Sequence, residues 1–97
     1  WNFGPSDQDA QTVEWIASEL CTLWGEGASY EINAGSQPHE AQYLKLDCSK
    51  ARAELFWTPK WGLKRNLEAI VQWNRAWQAG EEMRQVTKGQ IDLFFSQ

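Results

Sequence analysis

Apolar residues recur at Val13, Ile16, Ala17, Leu20 and Leu23, three and four positions apart. That spacing predicts an α-helix burying one face. Ser6 followed by Asp9 offers a capping-box-like start, and Asp7 and Asp9 suit the positive end of a helix dipole. Ahead of it, residues 1–5 (WNFGP) read as extended and then turning, because Pro5 keeps its predecessor out of the helical region. Gly25 and Gly27 predict the helix end. A second long helix is expected from Leu63 to Ala79, with Leu67, Ile70, Val71 and Trp77 on one face, Trp73 on its flank and Gly80 as terminator.

Between these helices the period shortens. Ser29 to Ala34 alternates weakly and predicts a short strand; Gly35 to Pro38 predicts a turn; Tyr43 to Leu46 alternates again and predicts a second strand. Asp47 or Ser49 can cap a short helix from Lys50 to Leu55. Phe56 to Gly62 (FWTPKWG) reads as a corner stiffened by Pro59, with Trp57, Trp61, Trp73 and Trp77 expected to cluster. Thr87 with Gln90 offers a capping box ahead of Ile91, Leu93, Phe94 and Phe95. The predicted order is helix, strand, strand, helix, helix, helix: an α+β fold, mainly helical with two short strands, forming one domain over residues 1–97. Two short strands do not make a free-standing sheet, so they are expected to pack on the helices or pair with further chain.

Composition adjusts this picture. Seven Trp, four Phe and two Tyr in 97 residues supply a large aromatic area for a small core, or a surface for a partner. A net charge of -4 with no basic run argues against nucleic acid. No apolar stretch is long enough to span a bilayer. Cys21 and Cys48 show no metal-type spacing and read first as two buried thiols in a reducing compartment, with a structural disulfide between them as the alternative. The chain opens on Trp1 and its sole Met is Met83, which reads as a piece of a longer protein; a processed secreted fragment is the competing account.

Little catalytic equipment is present. One histidine, His39, excludes a His-based metal cluster. No Gly-rich loop joins a strand to a helix, so no dinucleotide fingerprint or P-loop is present, and nothing around Ser36 resembles a nucleophile elbow. The one crowded polar spot is the turn at His39 and Glu40, with Tyr43 close by; its ordinary reading is a solvated turn. The tryptophans, likewise, are ordinarily core, and Lys50 and Arg52 helix-surface charges.

Three motifs in order change these weights. Asp47-Cys48-Ser49-Lys50-Ala51, then Leu55-Phe56-Trp57-Thr58-Pro59, then Leu67 to Trp73 resemble the carboxy-terminal part of extended short-chain dehydrogenase/reductases acting on nucleotide sugars, where a D-x-x-K-x-x-x-x-L-G-W-x-P segment leads into a helix. Asn2-Phe3-Gly4-Pro5 and Pro38-His39-Glu40-Ala41, continued by Tyr43-Leu44-Lys45-Leu46-Asp47, are similar to the CDP-glucose 4,6-dehydratase family. The similarity covers nearly the whole chain.

The resemblance implies a parent with a Rossmann lobe that binds NAD and a smaller lobe, this one, that binds the CDP-sugar. Such a parent, expected as a cytoplasmic homo-oligomer, would convert CDP-glucose to CDP-4-keto-6-deoxyglucose and water in polysaccharide biosynthesis. This chain would hold no catalytic residue, since neither Tyr30 nor Tyr43 is followed by Lys four positions on. Glu40 and His39 fall where relatives contact the nucleotide ribose and diphosphate, and Asn2 is a further substrate-binding candidate. Phe56 stands at a usual Gly, and Gly62-Leu63-Lys64-Arg65 replaces an acidic helix start. The alternatives are the matching lobe of another nucleotide-sugar epimerase, dehydratase or reductase, and a stand-alone helical interaction module.

Overall fold

A computed structural model describes residues 1–33, 35 and 45–97. They form a short 3-10 turn at Asp7–Asp9 and four helices: α1 (Val13–Trp24), α2 (Ser49–Leu55), α3 (Leu63–Gln78) and α4 (Met83–Ser96). Two compact units result, Trp1–Thr58 and Pro59–Gln97.

The predicted α+β class is corrected: the described residues are helical and contain no strand. Residues 29–33, 45 and 46 carry the alternation but not the ladder, and Ala34, Tyr43 and Leu44 lie outside the described residues. A strand exists only when a neighbour takes its backbone groups. Alternation marks which side chains would share a face and supplies no such neighbour. Tyr30, Ile32 and Leu46 are accordingly exposed.

In the first unit, the pairing of Ser6 with Asp9 does not open the long helix. The Ser6 hydroxyl lies 3.4 Å from the Asp9 carboxylate and the Asp9 N–H donates to the Ser6 carbonyl at 2.9 Å, which closes one turn on itself. Thr12 caps α1 instead, its hydroxyl accepting from the Trp15 N–H at 3.1 Å. α1 ends at Gly25, whose φ of 70° suits a residue without Cβ. The N-terminal segment lies along residues 46–48. Gly4 comes so close that a Cβ there would meet Leu46 and the Cys48 sulfur at 3.4–3.5 Å, and the Phe3 ring packs edge-on against Trp57 at 5.0 Å. Cys48 and Ala51 are the buried apolar residues among the described residues of this unit. Cys21 and Cys48 are free thiols, Cys21 half-buried.

The second unit is a helical hairpin. At roughly 100° per residue, Leu67 and Val71 lie on one side of α3 and Ala69 and Ala76 on the opposite side, and all four are buried. Ile70 and Trp77, expected on the buried face, stand 50% and 61% exposed. Gly80 turns the chain, and the Glu81 N–H returns to the Ala76 carbonyl at 3.0 Å. α4 starts earlier than Thr87. Glu82 caps it, one carboxylate oxygen accepting from the Arg84 N–H at 3.1 Å and the other from the Gln85 N–H at 2.8 Å. Thr87 and Gln90 are therefore interior to α4 and tie it to α3: Trp73 Nε1 donates to the Thr87 hydroxyl at 2.9 Å, and Gln90 Nε2 to the Ala69 carbonyl at 2.8 Å.

The predicted four-tryptophan cluster divides among other partners. Trp57 packs on Phe3 and Trp61 on Phe94, Trp73 bonds Thr87, and Trp77 is exposed. No helix among the described residues is long and apolar enough to cross a membrane.

Candidate functional site

The described part of the site is the junction where residues 1–4 meet residues 45–50. Asp47 builds its turn: its carboxylate accepts the Ser49 N–H at 2.9 Å and, in a short hydrogen bond, the Ser49 hydroxyl. These two bonds, the hydroxyl first, hold the Asp47 carboxyl below its ordinary range. The turn starts α2 and leaves the Asp47 carbonyl free for Asn2, whose Nδ2 donates to it at 3.3 Å. The Lys50 ammonium sits over the Trp1 ring at 4.5 Å, a cation–π contact that fixes the chain end over the helix start. Two of the segments that carry the motif resemblance, Asn2 to Gly4 and Leu46 to Lys50, thus touch one another.

Of the predicted substrate-binding residues, Asn2 is placed here, exposed, with its amide nitrogen engaged on backbone. His39 and Glu40 lie outside the described residues. The chain leaves toward them past Gly35, whose N–H donates to Asn33 Oδ1 at 2.9 Å, and rejoins the described fold at Lys45. On the way out, the Tyr30 hydroxyl donates to Glu14 at 3.4 Å. Desolvation, then the Glu14 carboxylate, raise the Tyr30 phenol above its ordinary value. Among the described residues no group of three or more His, Cys, Asp or Glu is placed to hold a metal ion.

Sequence reasoning missed a shallow open groove in the second unit, lined by Asn66, Ala69, Ile70, Trp73, Asn74 and Gln90. Its amide nitrogens all donate to backbone carbonyls: Asn66 to Trp61, Asn74 to Ile70, Gln90 to Ala69. The spacing of Asn66, Ile70 and Asn74 is the available signal, a polar–apolar–polar row four residues apart. At the entrance of α3, Arg65 lies over the Trp61 ring at 4.7 Å and pairs with Glu68 at 3.6 Å. Those contacts draw its charge toward a ring and a carboxylate at a helix end where cations are otherwise disfavoured.

No known family profile matches the chain. It is 51% identical over 96 residues to a CDP-glucose 4,6-dehydratase of Salmonella typhimurium strain LT2, an alignment covering 99% of this chain and 27% of that protein. The resemblance to CDP-glucose 4,6-dehydratases, read first from short motifs, holds over essentially the whole chain, and the chain spans about a quarter of that relative's length.

Proposed function

We propose that this chain is the carboxy-terminal, nucleotide-sugar-binding part of a cytoplasmic, NAD-dependent CDP-glucose 4,6-dehydratase, which converts CDP-glucose to CDP-4-keto-6-deoxyglucose and water. The observation that carries the proposal is identity of 51% sustained across 99% of the chain. NAD would supply the hydride-transfer chemistry of that reaction. The residues of this chain do not fit it, because no glycine fingerprint joins a strand to a helix here. Its site and the reacting groups belong to the rest of the longer protein.

This chain's share is to grip the nucleotide. Glu40 offers a carboxylate with two acceptor oxygens, suited to a pair of ribose hydroxyls. His39 offers an N–H donor to a diphosphate oxygen. Asn2, tied to the Asp47 carbonyl, keeps its side-chain oxygen as a further acceptor at the junction. Such contacts form before the chemistry and persist through it, so their loss raises KM more than it lowers kcat.

In the full-length protein, Glu40→Ala is expected to raise KM for CDP-glucose by roughly tenfold, the worth of a hydrogen bond to a charged group, with kcat little changed. Steady-state kinetics check this. Unchanged KM would remove Glu40 from the site.

A further inference from the structure

α1 carries eight apolar residues in twelve, Val13, Trp15, Ile16, Ala17, Leu20, Cys21, Leu23 and Trp24. At roughly 100° per residue, all but Trp15 fall within about 160° of arc, with Val13 at its middle. Glu14, Ser18, Thr22 and Glu19 hold the other side. A helix with so wide an apolar arc ordinarily packs along all of it. Here no residue of α1 is buried, and Val13 stands 77% exposed.

We infer that the α1 arc is the seat on which the remainder of the full-length protein packs. The inference rests on the reading of this chain as part of a longer enzyme. Two arguments choose this occupant over a second copy of the chain. The chain matches 27% of its relative, so most of a protein of that length lies outside this chain and is covalently tethered to it. A tethered surface acts at an effective concentration on the order of millimolar, whereas a second copy must be recruited from dilute solution. Two copies would also bring together like charge, each carrying -4. The seam is expected to be apolar, because the two acidic residues of α1 lie off the arc and Glu14 already receives the Tyr30 hydroxyl.

The test is thiol labelling, with each site read by peptide mass, on Val13→Cys at the middle of the arc and Ser18→Cys on the polar side. Each variant is made both in this chain and in the full-length protein. Val13→Cys is expected to label rapidly in this chain and roughly tenfold slower or more in the full-length protein, as burial in a packed seam requires opening before reaction. Ser18→Cys is expected to label at similar rates in both. Equal labelling of Val13→Cys in both proteins would overturn the inference. So would protection already present in this chain alone. So would protection that vanishes when the full-length protein is diluted to monomer, which would assign the arc to a second copy. Labelling does not depend on which nucleotide sugar is turned over, so its failure is distinguishable from failure of the proposed activity.

Discussion

Phe56 sits at the end of α2 with φ 53°, in the left-handed region, and is 89% exposed. Both features are unfavourable for an aromatic residue in this chain: the Cβ crowds its own backbone there, and the ring gains little from burial. The position is nevertheless required, because the N–H groups of Phe56 and Trp57 both reach the Ala51 carbonyl, the latter at 3.2 Å. Phe56→Gly is expected to stabilise the chain by about 1 kcal/mol, the order of the left-handed penalty less the extra chain entropy of Gly. Thermal unfolding followed by circular dichroism checks the direction; a lower Tm would show that the Phe56 ring makes a stabilising contact. Asp47 gives a second prediction at this scale. Its folded pKa is depressed below 3.8 by the Ser49 bonds, so its stabilisation is present above 3.8 and lost as pH falls through the depressed value. The stability gap between the native chain and Asp47→Ala is therefore expected to be full at neutral pH and to close in acid. A gap that is constant across the acid range would rule this out.

Among the helices, what was legible in the sequence was what is local. The apolar spacing of α1, its stop at Gly25 and the extent of α3 follow from neighbours within a turn or two, and the structure has them. The starts were misread where a capping pattern found other work. Ser6 and Asp9 close a turn on each other, and Thr87 and Gln90 bond α3 from inside α4. No strand forms at the described residues 29–33, 45 and 46, because pairing is decided by distant chain, which alternation does not encode. The burial of α3 was half legible: Leu67 and Val71 are buried as their spacing implies, but so are the small residues Ala69 and Ala76 on the opposite side, and Ala69 is where Gln90 of α4 bonds the α3 backbone. Of the candidate site, the motifs at Asn2 and Asp47 were legible, while their contact was not, since 45 residues separate them. The cap on α4 is open to test. Glu82→Ala is expected to cost about 1 kcal/mol, as loss of a side-chain N-cap does, while Glu82→Gln, with one acceptor oxygen in place of two, retains part of it; urea unfolding of the two variants measures the difference. Equal stability of Glu82→Ala and the native chain would place the helix start elsewhere.

The whole chain, among its described residues, contains no large side chain that is fully buried, and its buried apolar residues are Cys48, Ala51, Leu67, Ala69, Val71 and Ala76. That is a thin core for a chain with seven tryptophans. The economical physical account is that much of the aromatic and α1 surface is completed by protein beyond this chain, in keeping with an alignment to 27% of a longer dehydratase. Under the function proposed above, this chain would grip the nucleotide and the rest of the enzyme would carry the redox chemistry. The most direct measurement is turnover by the full-length protein supplied with CDP-glucose and NAD, followed by mass spectrometry of the nucleotide sugar. The account predicts a product lighter by one water, CDP-4-keto-6-deoxyglucose. CDP-glucose left intact by a folded protein that turns over a different nucleotide sugar would contradict it.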